Sequence, residues 1–135
     1  MALLEWGGRR PQAVAKGDAV DIYHAWCNLK PGVGDLAFAE AVAKYMGHLK
    51  EGGLIAGWRL TRRKLGLGPA HLGNFHLMIE VRDLAQLDAA FARAASRTEP
   101  TEGAHFGVNS LVTDAVFALY RDFPDAVRER GQERF

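Results

Sequence analysis

Hydrophobic and polar positions change their period along this chain, and the changes mark its elements. Residues 19–29, AVDIYHAWCNL, alternate: Ile22, His24 and Trp26 share one face, and Tyr23, Ala25 and Cys27 share the other. Tyr23, Trp26 and Val20 favour a strand, which Asn28 and Pro31-Gly32 end. Leu36, Ala39, Ala43, Met46 and Leu49 then recur at helical spacing, with Phe38, Val42 and Tyr45 widening the stripe. Asp35 is placed to cap this helix, and Gly52-Gly53 supply the left-handed positions at its end.

Alternation returns at residues 54–65, LIAGWRLTRRKL, and predicts a second strand. A loop rich in Gly and Pro follows, and residues 75–81 form a third strand. There Phe75, Leu77, Ile79 and Val81 make an apolar face, and His76, Met78 and Glu80 lie on the other. Asp83 starts a second helix, with Gln86 three residues on as in a capping box and Leu84, Leu87, Phe91 and Ala94 as its buried stripe. Residues 98–103 read as a polar loop, and residues 105–112 fit either a strand or a short helix. The last strand is expected at residues 115–121, AVFALYR, ended by Phe123-Pro124-Asp125.

The order β-α-β-β-α-β predicts an α+β fold of the ferredoxin-like kind: an antiparallel sheet with two helices on one face. The expected boundaries are an extension at residues 1–18, the domain at 19–125 and a charged tail at 126–135. Glycines and Pro11 break up the extension, and its apolar run is too short for a signal-peptide core. The chain has 135 residues, enough for one domain with a real core. A net charge of +1 gives no field to attract nucleic acid or anionic lipid. No apolar run approaches the ~20 residues of a membrane span. One cysteine, Cys27, suits a reducing cytoplasm.

Two helices cover one face of such a sheet, so the chemistry of the other face is informative. If the aliphatic face of the third strand meets the helices, His76, Met78 and Glu80 are left on the open side. The first strand adds His24 and Trp26, or else Tyr23 and Cys27. Aromatic surface of this kind is seldom left in water. A second copy covers it with one self-complementary patch, so a homodimer through the sheet face is expected.

The candidate residues follow from this placement. His24 and His76, on neighbouring strands, are candidates for proton transfer, or else partly buried structural histidines. Trp26, Trp58 and Met78 form a flat apolar wall for an aromatic ligand, or else plain core. Arg59, Arg62, Arg63 and Lys64 guard an edge strand, or else Arg59 or Arg63 holds a substrate carboxylate. His105 and Asn109 are candidates to orient a ligand near the end of the sheet. The loop at residues 66–73 joins two strands, so it is a hairpin loop rather than a phosphate cradle. Cys27 lacks a basic neighbour that would make it a nucleophile. No metal-ligand spacing is present and no cofactor is implied. The third strand lacks the aromatic pattern of an RNA-recognition motif.

The runs IYHAWCNLKPGVGDLAFAEAV, GLIAGWRLTRRKLGLGP, FHLMIEVRDLAQLDAAF and FALYRDFPD together resemble a family of small bacterial domains of unknown function. More distantly they are similar to the dimeric α+β barrel superfamily, which includes antibiotic-biosynthesis-type and haem-degrading monooxygenases, muconolactone isomerases and stress-responsive domains. The resemblance spans about residues 21–125. It implies a dimeric barrel and a small-molecule enzyme or binding protein. The expected reaction is cofactor-independent oxygenation or isomerisation of a hydrophobic or aromatic metabolite. His24 or His76 would move the proton, Arg59 would anchor an anion, and Trp26 and Met78 would form the wall. The rivals are a non-catalytic domain that senses a metabolite or assembles with itself, and a haem-binding protein. An Asn, a Trp and a His matter in the haem-degrading relatives, and no role is carried over from them to a residue of this chain.

Overall fold

The computed structural model describes residues 20–124 and 128–131. The expected extension at residues 1–18, Ala19 at the start of the first strand, and most of the charged tail lie outside the described residues. The elements are β1 (Asp21–Leu29), α1 (Asp35–Glu51), β2 (Gly57–Arg62), β3 (Phe75–Val81), α2 (Leu84–Ala95), α3 (Thr101–Asn109) and β4 (Val112–Arg121). The four strands form one antiparallel sheet in the order β2-β3-β1-β4. This is the ferredoxin-like arrangement expected from the sequence, with one addition.

The addition is α3. The segment at residues 98–103, expected as a loop, enters a helix at Thr101, and the open choice at residues 105–112 resolves as helix up to Asn109. Glu99 Oε1 accepts the free N–H of Gly103 in the first turn, which stabilises the helix start. Ala104 is buried against the layer, and His48 Nε2 on α1 lies 2.6 Å from Oγ1 of the fully buried Thr101. The face of the sheet therefore carries three helices rather than two. The last strand begins three residues earlier than expected, at Val112.

Local chemistry explains the other boundaries. Asp35 is the first residue of α1, with Gly34 in the cap position, so it does not cap the helix as expected. Its carboxylate instead accepts from Arg62 Nη1 at 2.8 Å, a surface pair between β2 and the helix start. Gly53, at φ +74°, turns the chain out of α1. That turn delays β2 to Gly57, and Leu65, at φ +57°, keeps the strand from running on to residue 65. At α2, Asp83 accepts from the Gln86 N–H at 2.9 Å. The Gln86 side chain reaches Arg82 N at 2.7 Å and Gly53 O at 2.9 Å, so this buried amide ties the start of α2 to the end of α1.

Register fixes the two faces. Tyr23 pairs with Ile79, Ala25 with Leu77 and Cys27 with Phe75, and Trp58 and Leu60 join them from β2. This face packs on Phe38, Val42, Met46 and Leu49 of α1, with Ile55, Val81 and Leu87 completing the core. The opposite face carries Ile22, His24 and Trp26 of β1, His76 and Met78 of β3, Arg59 and Thr61 of β2, and Val116, Ala118 and Tyr120 of β4.

Candidate functional site

The candidate residues separate into two groups with the sheet between them. On the open face, β1 and β3 bring His24 and His76 together, with His24 Nδ1 2.8 Å from His76 Nε2. Trp26 stands opposite His76 in register, and the two rings stack with centroids 4.3 Å apart and planes within 12°. Tyr120 of β4 meets His24 edge-on at 4.9 Å. Met78 is the register partner of both His24 and Arg59. Burial lowers the pKa of His24; burial and then the charge of His24 lower that of His76 to about 4. The pair is therefore a neutral, hydrogen-bonded unit at pH 7, embedded in aromatic surface.

Trp58 does not join this wall. It lies in register with Ile79 on the helix side and packs against the core, because strand alternation puts it one residue out of phase with Arg59. Arg63 is not a free anion anchor either. Its Nη2 donates to the carbonyls of Pro69 and Leu72 at 2.7 and 2.6 Å, so it staples the β2–β3 loop. Arg62 is paired with Asp35. Arg59 lies on the open face beside Met78, and it too is engaged in an interaction.

The second group surrounds a cavity on the helix side. Its volume is about 270 Å³, and it lies between the sheet and all three helices. The wall is apolar over most of its extent, built from residues such as Val42, Leu49, Leu77 and Ala90. Aromatic rings pack around Tyr23, with Phe117 stacked at 5.8 Å and Phe91 edge-on at 5.2 Å. Polar groups gather where α3 crosses α1. There Tyr45 and His105 lie with ring centroids 5.5 Å apart, and Asn109 follows one turn on along α3. His105 and Asn109 thus line this cavity, across the sheet from the histidine pair.

The protonation states of the cavity groups have identifiable causes. Burial raises the pKa of Tyr45, and the charge of Glu102 raises it further, so its phenol is a donor at neutral pH. Burial raises Tyr23 in the same way. Burial pushes the Cys27 thiol up to about 11, which keeps it protonated and removes it as a nucleophile. His105 brings an imidazole to the same lining.

Sequence reasoning missed Tyr45 because it was assigned to an apolar stripe, and considered Tyr23 only as an alternative to His24 for the open face. The alternation of the first strand already separated Tyr23 from His24. Glu102, His105 and Asn109 stand at helical spacing, and that signal becomes visible once residues 101–109 are read as helix. Among the described residues no cluster of metal-ligating side chains occurs, and no helix is long and apolar enough to cross a membrane.

Comparison with solved structures places the fold. SnoaB, described as a cofactor-independent oxygenase from Streptomyces nogalater, superposes with a TM-score of 0.58 at 12% identity, over 83% of this chain and 99% of that one. A hydroxynitrile lyase from Passiflora edulis gives 0.58 at 14% identity, over 78% and 94%. A dimeric ferredoxin-like protein of unknown function from a Jannaschia species gives 0.56 at 13% identity, over 75% and 97%. At these identities the likeness is one of fold. No curated protein matches the chain in sequence. A family model does match, over residues 20–135, and the chain belongs to that family of unknown function, DUF6614.

Proposed function

We propose that the cavity beneath the sheet takes a compact hydrophobic, aromatic metabolite, and that His105 moves a proton on it with Tyr45 as a neighbouring hydrogen-bond donor. The observation that carries this reading is the combination of a 270 Å³ apolar cavity with its polar groups collected at one end. Ligand pockets have this character, and this one lies just below the usual ~300–1,000 Å³ range. Isomerisation and cofactor-independent oxygenation share a first step, removal of a carbon-bound proton. In the first the proton returns at another carbon. In the second, dioxygen adds to the carbanion, and the hydroperoxide loses water to leave a carbonyl. The description of SnoaB as a cofactor-independent oxygenase agrees with the second course.

The test is solvent deuterium exchange into aromatic carbon acids, followed by NMR, with oxygen uptake measured alongside. The wild-type chain is expected to accelerate exchange into at least one such compound, and His105→Gln to reduce the rate about 100-fold or more. Exchange unaffected by His105→Gln would overturn the role given to His105. Haem binding is disfavoured by the cavity size, and haemin titration without a new absorption band is the expected result.

The open face is assigned to a homodimer. Its stacked Trp26, His76 and His24, bordered by Tyr120 and Val116, form the surface that a second copy would cover. Two proteins of this fold are described as dimeric. On this reading His24 and His76 serve assembly and not catalysis. Loss of exchange activity on replacing both histidines, in a protein that stays dimeric, would return them to the catalytic role.

A further inference from the structure

The cavity opens outward through a neck. Phe91 and Ala94 from α2, with His105 and Asn109 from α3, line both the inner cavity and an outer groove of about 480 Å³. Beyond the neck the groove is walled by Arg97 and Glu102. Arg97 follows the C-cap residue Ser96 of α2 and adopts φ +54°. Glycine is the residue of least strain in this left-handed position. An exposed arginine stands there instead, and among the described residues its guanidinium has no hydrogen bond or ion pair.

We propose that the ligand of this cavity is an aromatic acid, its rings in the inner cavity and its carboxylate on Arg97 in the outer groove. The proposal rests on the cavity being a ligand site, as argued above. Glu102 is the opposing charge in the same groove. Its field acts on Tyr45, on the inner side of the neck. A carboxylate in the groove forms a charge-assisted pair with Arg97, against the repulsion of Glu102. Arg97 lines the outer groove and not the apolar inner cavity, so it selects one orientation, ring first and acid outermost.

Calorimetric titration of the full chain with 2-naphthoate and its neutral isostere 2-naphthamide tests the assignment. The wild-type protein is expected to bind both, the acid more tightly. Arg97→Gln is expected to weaken the acid about fivefold, the range of an exposed charge pair, and to leave the amide within about twofold. Arg97→Lys is expected to restore part of the loss, and Glu102→Gln to tighten the acid only. Ala94→Trp, which plugs the neck, is expected to abolish both. If the wild type binds neither compound, the cavity reading itself fails. If both bind and Arg97→Gln leaves the acid unchanged, or weakens acid and amide equally, the cavity stands and the acid assignment is overturned.

Discussion

Nδ1 of His24 lies 2.8 Å from Nε2 of His76, a side-chain hydrogen bond between the two central strands. The residues are not direct register partners, since His24 faces Met78 and Trp26 faces His76. The bond is diagonal, and it holds His76 on the Trp26 ring. Nε2 of His24 is buried with no hydrogen-bond partner among the described residues. The unit is best satisfied when His24 donates from Nδ1 and His76 accepts. One added proton can be shared along the bond, but a second sets N–H against N–H.

Acid should therefore destabilise the protein through this pair. The groups around it on the same face are Arg59 on β2, Glu80 on β3 and Tyr120 on β4. His76 is depressed from 6.5 to about 4, so between those values the unfolded chain binds more protons than the folded one. The contribution is complete above about pH 6.5 and lost as the pH falls toward 4. Urea midpoints of the wild type are expected to drop across this window. In the double variant His24→Leu, His76→Phe the drop should be smaller, with other carboxylates responsible for what remains. An unchanged slope in the double variant would remove the pair as the cause.

Gly73 predicts a second sensitive point. A Cβ there would lie 2.3 Å from the carbonyl carbon and oxygen of Cys27, and a backbone peptide in the middle of the sheet has little room to yield. At this place β1 slips its register against β4, and Asn28 bonds Asn74 N at 2.9 Å and Asp114 at 3.2 Å. Gly73→Ala is expected to cost about 2–3 kcal/mol or more, the range of forced overpacking. Gly68→Ala meets only the end of the Arg63 side chain, which can shift at the expense of its bonds to Pro69 and Leu72, and should cost less. Equal unfolding midpoints for the two variants would contradict this difference.

The fold was legible where period and punctuation agree. The alternation of Phe75, Leu77 and Ile79 placed the third strand at its observed bounds, and Gly52-Gly53 closed the first helix. The juxtaposition of His24 and His76 followed from strand order and parity alone. The third helix was not legible, because its first turn depends on Glu99 and on a bond between His48 and Thr101, 53 residues apart. That miss propagated to the site. Without a helix at residues 101–109, His105 and Asn109 have no defined direction, and Glu102 no relation to them. The cavity itself is a property of how the helices stand off the sheet, and no residue pattern reports such a gap.

The left-handed arginine allows stability and binding to be separated. Arg97→Gly relieves about 1 kcal/mol of backbone strain, partly offset by the greater freedom of glycine in the unfolded chain. A rise of a few degrees in the unfolding midpoint is expected. The same substitution should lose the preference for 2-naphthoate over 2-naphthamide. A gain in stability with the preference retained would show that Arg97 does not hold the acid.

The sheet-face dimer makes the last prediction. Trp26 lies between His76 and Val116 in register, near the middle of the open face. A stable interface of ordinary size covers ~800 Å² on each partner, so the patch must be apolar well beyond one side chain. Tyr120, 60% exposed, and Val116, 36% exposed, extend it on the β4 side. Trp26→Glu puts a carboxylate at its centre, where a two-fold axis would bring the charge close to its copy. Sedimentation velocity at tens of micromolar is expected to give a dimer for the wild type at pH 7.5 and a folded monomer for Trp26→Glu. Because the histidine pair lies in the same patch, the wild-type dimer should also weaken toward pH 4, and the His24→Leu, His76→Phe variant should resist that change. A wild-type monomer at pH 7.5 would overturn the assignment of this face to self-association.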